Sequence, residues 1–168
     1  MAGVNYLDRV AGRFQREQAI TESAGAGDAD KLIAANAAGE IDITFLPSGF
    51  GAETISVVAS EALAEGDFVN LWNDSGTLKA RKADNSNDRP ARGAVAAAFS
   101  SSATATVYVG QKLLSGYTGL TPGGECWLGT AGRATQTAPS GDGVLSQSVG
   151  FAVSATTPLM QLQNEVIL

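Results

Sequence analysis

Between Leu120 and Val153 no apolar stretch runs long, and glycine, proline, serine or aspartate closes each one. The order is a turn at Leu120-Thr121-Pro122-Gly123-Gly124, a short strand Glu125-Cys126-Trp127-Leu128, a glycine turn, a polar strand, a glycine-rich loop, and a long strand ending Gly150-Phe151-Ala152-Val153. Turn chemistry set between half-buried strands is the pattern of a small β-domain.

The same pattern extends upstream and downstream. Strands are predicted over Thr54–Ala59, Asp67–Asn73, Thr77–Ala83, Gly93–Phe99, Thr104–Val109, Glu125–Leu128, Arg133–Thr137, Val144–Val153 and Leu159–Ile167, with 111–119 read as a loop. Asn73-Asp74-Ser75-Gly76 and Ser100-Ser101-Ser102-Ala103 carry the residues of hairpin turns. Many short strands at regular spacing point to an all-β fold, a compact antiparallel barrel or sandwich over residues 52–168.

Residues 1–51 read differently. Tyr6, Val10 and Phe14, with Leu7, fall at i, i+4, i+8, the spacing of one apolar stripe on a short helix, with Arg9, Arg13 and Arg16 off it. Glu22-Ser23-Ala24-Gly25-Ala26-Gly27 is a hinge by composition. Ile41, Ile43 and Phe45 then alternate with Asp42 and Thr44, a strand period, and Pro47-Ser48-Gly49-Phe50-Gly51 closes it. The expectation is an N-terminal arm: a short helix followed by a connector hairpin over 28–51. That helix either packs on its own domain or orders on a partner, because three turns are marginal alone.

What the chain lacks narrows its chemistry. Its 168 residues include no histidine and one cysteine, which excludes Ser-His-Asp and Cys-His arrangements, histidine-ligated zinc and a thiolate cage. Gly49-Phe50-Gly51 leads into no helix, and no Gly-Lys-Ser/Thr occurs, so the glycine clusters are turns and not phosphate cradles. Asp84-Asn85-Ser86-Asn87-Asp88 has oxygen ligands at the first, third and fifth positions of a calcium loop. Arg89 stands where that loop needs glycine, and Val95 where it needs a bidentate glutamate, so an exposed hairpin loop is the better reading. Cys126 beside Trp127 reads as a small buried hydrophobe. Paired carboxylates of a glycosidase are not set by sequence spacing, but the aromatic platforms such clefts carry are scarce here. No catalytic residue, cofactor or metal is assigned.

A net charge of −6 and a pI near 4.5 argue against a nucleic-acid partner. The local basic excess, Lys79, Arg81, Lys82, Arg89 and Arg92, is broken by Asp84 and Asp88 and reads as a strand face. No apolar run approaches the ~20 residues that cross a bilayer, and Met-Ala-Gly-Val-Asn-Tyr-Leu-Asp-Arg has no secretory pattern, so production in the cytoplasm is expected, with no membrane partner. A charged fraction of 17% with abundant small residues suits faces that pack on other chains.

Several blocks carry a resemblance: Tyr6-Leu7-Asp8, Ser23-Ala24-Gly25-Ala26-Gly27-Asp28-Ala29-Asp30-Lys31, Asn36-Ala37-Ala38-Gly39-Glu40-Ile41-Asp42, Leu46-Pro47-Ser48-Gly49, Ala64-Glu65-Gly66-Asp67-Phe68-Val69-Asn70, Gly119-Leu120-Thr121-Pro122-Gly123 and Val149-Gly150-Phe151-Ala152-Val153-Ser154. In that order they span nearly the whole chain, and the set resembles the capsid decoration (cement) or head-fibre proteins of tailed bacteriophages. Glu125-Cys126-Trp127 departs from the Ala-Tyr-Tyr or Ala-Tyr-Phe strand usual there, exchanging strand residues for strand residues.

The resemblance implies a β-rich domain, often trimeric, seated on the outside of an icosahedral head with the major capsid protein as partner. It implies no catalytic residues. Attachment is expected through 1–51, with Tyr6, Leu7, Val10, Arg13, Phe14, Leu46 and Phe50 as the contact residues, and oligomer contacts through 52–168. The alternatives are a tail-fibre or baseplate module, for which no repeated shaft segment is visible, and a host-carbohydrate-binding module. The last would need Trp72, Trp127, Tyr108 or Tyr117 to face solvent.

Overall fold

The structure, a computed structural model, describes residues 5–10, 12–46 and 51–168. It divides into two compact units, residues 1–51 and 52–168. Among the described residues the chain is all-β, with no helix of seven or more residues.

The second unit starts with a closed five-stranded barrel made of β3 (Thr54–Ala59), β4 (Phe68–Asp74), β5 (Thr77–Lys82), β6 (Gly93–Ala94) and β7 (Thr104–Tyr108), in the order β3-β5-β4-β6-β7. Four of its pairings are antiparallel. The fifth, which shuts the barrel, is parallel, with Val58 opposite Lys79 and Ala59 opposite Ala80. The β4–β5 turn is the one its residues predict: Ser75 and Gly76 both take positive φ, 54° and 89°, as a two-residue hairpin of this twist requires. Asn73 locks it by accepting the Gly76 N–H at 2.7 Å.

A five-stranded sheet follows, in the order β10-β9-β12-β13-β8, from β8 (Lys112–Leu113), β9 (Glu125–Leu128), β10 (Ala134–Thr135), β12 (Ser148–Ser154) and β13 (Thr157–Met160). A two-stranded pair joins β11 (Leu145–Ser146) to β14 (Val166–Ile167). The strand expected over Val144–Val153 is therefore cut at Gln147. That side chain is buried; its Oε1 accepts the Ala91 N–H at 2.8 Å, while its Nε2 donates to the Ala91 carbonyl at 3.1 Å and the Gln163 carbonyl at 3.0 Å. A buried amide with every polar atom engaged pins this crossing, where one left unpaired would cost about 1–3 kcal/mol. The predicted strand over 93–99 shrinks to two residues, because Phe99 leaves it to bridge Leu63.

Alternation along β4 builds two cores at once. Val69 points into the barrel with Val57, Ala59, Ala80, Val95 and Val107, where small side chains fill a narrow interior. Phe68, its neighbour, points the other way into a second cluster with Leu114, Tyr117, Leu128, Leu145 and Met160 beneath the sheet. Where barrel and sheet meet, buried Asp67 accepts the Ala64 N–H at 2.8 Å and an Arg133 N–H at 3.3 Å. Arg133 lies over the Tyr117 ring, 4.0 Å from its centroid. The Tyr117 hydroxyl donates to the Gly66 carbonyl at 2.9 Å.

In the first unit, the helix expected through Tyr6, Val10 and Phe14 is instead a hairpin of β1 (Asn5–Val10) and β2 (Arg13–Gln18), turning through Gly12 at φ 83°. A spacing of four satisfies a two-residue period as well as it does a helix, and the glycine between the halves selects the hairpin. The strand expected over 40–46 is likewise a 3-10 turn at Ile43–Phe45. Asp42 explains it: its carboxylate accepts the Thr44 N–H at 2.9 Å and the Thr44 hydroxyl at 2.8 Å, capping a turn in place of extending a strand. The remainder of the expected connector hairpin is loop, apart from a bridge of Ile33 to Ile20. The closing stretch Pro47-Ser48-Gly49-Phe50 lies outside the described residues.

Candidate interaction surface

The hairpin register decides which side chains of the first unit act together. Tyr6 opposes Glu17, Leu7 opposes Arg16, and Val10 opposes Arg13. Directly paired residues share a face, so Leu7, Phe14 and Arg16 stand on one side while Tyr6, Arg13 and Glu17 stand on the other. Leu7 is 72% exposed and Phe14 75%. The expected stripe of Tyr6 with Phe14 is thus divided between two faces, and Leu7 becomes the diagonal neighbour of Phe14. Of the other expected contact residues, Arg13 and Leu46 are exposed, and Phe50 is outside the described residues.

Beyond β2 the backbone is held mostly by short polar side chains. Ile20 pairs with the 32–34 segment, donating to Leu32 at 2.9 Å as Ala34 donates to Ile20 at 2.8 Å. The Thr44 hydroxyl accepts the Ser23 N–H at 2.7 Å. Asn36 accepts the amides of Ala38 and Glu40 at 2.9 and 3.0 Å, forming a side-chain-capped turn. The Ala24 amide donating to Asp28, helped by Lys31 at 2.9 Å, holds the Asp28 carboxyl below its ordinary range, and the same contact raises Lys31. The Thr44 N–H, then the Thr44 hydroxyl, lower Asp42 in the same way.

These hydrogen bonds fix a path but enclose almost no oil. Among the described residues of this unit Ala19 is the one buried apolar side chain, while Leu7, Phe14, Leu32, Ile33, Ile41, Ile43 and Leu46 are exposed. An open depression of about 340 Å3 lies alongside, between residues 17–22 and Lys31. Covering a leucine, isoleucine or phenylalanine is worth about 1.5–3 kcal/mol each when complete. Leu32, Ile33, Ile41 and Ile43 are absent from the expected contact residues; the sequence reading gave Ile41 and Ile43 to a strand and left Leu32 and Ile33 in the connector. The signal that finds them is the absence of any complementary apolar run in 1–51.

The second unit holds most of its polar chemistry in structural bonds. Tyr117 is buried, and burial pushes its hydroxyl up to about 12. Trp72 is half-buried, donating from Nε1 to the Ser60 hydroxyl at 3.0 Å with Arg81 stacked 4.7 Å from its ring centroid. Tyr108 is half-buried under Lys112, 4.6 Å away, and Trp127 is half-buried on the outer side of β9. Of the four aromatic residues named as possible sugar platforms, Tyr117 is buried and the other three are half-buried.

Asp84 accepts from Ser86 within its own loop and from the Ala131 amide of the turn before β10; burial opposes its ionisation, yet these bonds leave the carboxyl below its usual range. The basic run is similarly engaged, with Lys79 on Asp74, Lys82 near Asp67 and Arg92 on Glu165. Cys126 is buried, and burial followed by the charge of Glu125 raises its thiol. Among the described residues no three cysteine, aspartate or glutamate side chains gather closely enough to hold a metal ion. No protein-family model, curated protein or solved structure matches the chain.

Proposed function

We propose that this chain is a structural virion protein that binds the outside of a bacteriophage capsid and clasps the seams between coat subunits. Residues 1–51 attach it to the major capsid protein. Residues 52–168 form the projecting body and make the contacts of a homotrimer. The resemblance of the ordered sequence blocks supports the setting, and the physics of the first unit supports the division of labour.

The observation that carries the reading is the imbalance among the described residues of 1–51, seven large apolar side chains exposed against one buried alanine. A segment of that kind gains most when another surface covers it. Ordering such a segment costs about 1–2 kcal/mol per residue in backbone entropy, which its short polar bonds offset only in part. A repeated coat lattice supplies many equivalent surfaces, so a trimer engaging three of them gains a hundredfold or more from effective concentration. Attachment by area and not by chemistry also agrees with a chain free of histidine.

The test is co-sedimentation with capsid shells stripped of their outer proteins. The wild type is expected to pellet with shells at a fixed ratio to coat subunits. The exposed double variant Leu7→Glu/Phe14→Glu is expected to fold normally and to bind at least about tenfold more weakly, a loss of 1.4 kcal/mol or more. Undiminished binding of that variant, or a wild type that stays in the supernatant, refutes the proposal.

A further inference from the structure

The outer face of the five-stranded sheet carries a basin of about 300 Å3 that the attachment reading does not use. Phe151 of β12 pairs directly with Glu125 of β9, so ring and carboxylate stand side by side on this face. Gln161 and Gln163 come in from the other side, where their backbone N–H groups continue the pairing past β13 by donating to the carbonyls of Val149 at 2.9 Å and Ser148 at 3.0 Å. Between the two sides the floor is bare backbone at Gly150. A Cβ there would sit 1.9 Å from the Leu159 carbonyl oxygen, and the residue holds φ at 134°, so only glycine fits. The register slips between Ser148 and Gly150, a bulge of the kind that re-aims side chains at a sheet surface.

The polar groups around this floor are idle within the molecule. The side chains of Glu125, Ser148, Gln161 and Gln163 have no hydrogen-bond partner among the described residues. They supply one carboxylate acceptor, one hydroxyl and two amides, each amide able both to donate and to accept. Phe151, 40% exposed, supplies an aromatic face beside them.

The geometry points to a binding site for a neutral saccharide. Glu125 is the single charged group of the lining and no cation accompanies it, which disfavours phosphate, nucleotide or carboxylate ligands. One carboxylate is too few for a metal ion. A ligand rich in hydroxyls, each both donor and acceptor, matches paired amides, while its C–H face rests on the phenyl ring. The volume lies at the small end of ligand sites and fits about one sugar unit. A second depression of about 200 Å3 shares Gln161 as its wall and runs on toward Gly110 and Gln111. A short neutral oligosaccharide would occupy both. An open site of this kind binds with a Kd on the order of 1 mM per contact, useful where many copies act together.

Titration of the full chain by NMR with neutral di- and trisaccharides of glucose, galactose, mannose and N-acetylglucosamine tests this. At least one sugar is expected to shift backbone amides of residues 148–151 and 161–163 together with the side-chain amides of Gln161 and Gln163. Phe151→Ala should weaken that binding at least about tenfold. The exposed variant Gln161→Ala should weaken it as well, which covers the case in which Phe151→Ala disturbs folding. Leu7→Glu/Phe14→Glu should leave it unchanged, so this site and the capsid reading stand or fall separately. Absence of shifts with every sugar, or binding that survives both Phe151→Ala and Gln161→Ala, overturns the assignment.

Discussion

Two hairpins of the same local design meet opposite fates in this molecule. β1–β2 and β4–β5 are both antiparallel ladders of about six pairs closed by a tight turn with a glycine in the left-handed region. β4–β5 delivers Phe68 and Val69 into two cores, each fully buried. β1–β2 leaves Leu7 and Phe14 in solvent. Ladder and turn are thus local properties, whereas burial depends on what the rest of the chain brings to the same place. The second unit brings twenty residues of apolar cluster, and among its described residues the first brings Ala19. Burial and apolar exposure are separated along the described sequence accordingly.

The contrast is open to direct attack. The largest effect is expected at Phe68: Phe68→Ala removes the largest fully buried side chain and should cost the second unit about 3–5 kcal/mol in urea unfolding. Phe14→Ala, the matching change in the first hairpin, should stay within about 0.5 kcal/mol. Equal losses would erase the distinction.

Alkaline pH should strike the second unit next. Tyr117 ionises at 10.0 when unfolded and at about 12 when folded, so its contribution is fully present below pH 10 and falls away as the pH rises toward 12. The loss over that window should reach about 2–3 kcal/mol. Tyr117→Phe should flatten that decline, while lowering neutral stability by leaving the Gly66 carbonyl without its donor. A decline of unchanged steepness in this variant would assign it to other groups.

The smallest effect belongs to the first unit. Asp42→Ala removes the cap of the Ile43–Phe45 turn and should loosen that turn locally. Hydrogen exchange at Thr44 and Phe45 should quicken while the barrel amides stay protected. Acid should act in the same direction. The Asp42 carboxyl is held below 3.8, so the stability it adds is present above that value and is lost as the pH falls through its lowered folded value. Simultaneous loosening of both units in Asp42→Ala would tie them into one cooperative block.

How far this was legible in the sequence follows from the same contrast. β3 and β9 end where their residues say, because alternation and a flanking turn residue agree at both ends. The β4–β5 turn is written in Ser75-Gly76. By contrast, Tyr6, Val10 and Phe14 are ambiguous on paper because four is a multiple of two, and only Gly12 breaks the tie. Asp42 was hidden for a related reason: in Ile41-Asp42-Ile43-Thr44 an alternating pattern and a capped turn use the same letters, and the side-chain bond decides. The parallel β3–β5 contact joins segments with an antiparallel strand between them, so no local signal encodes it. In the saccharide basin, Gln161 and Gln163 look like any solvated strand face until Gly150 removes the side chain between them and Phe151.

The parallel seam between β3 and β5 has a further consequence. A sheet rolled into a hoop has no outermost strand, so the barrel offers passing chains no ladder to extend. Molecules crowded shoulder to shoulder at high local density are therefore protected from knitting their barrels into fibrils. Whatever neighbours meet this part of the chain must meet it through side chains, and such contacts can be set, counted and released one at a time.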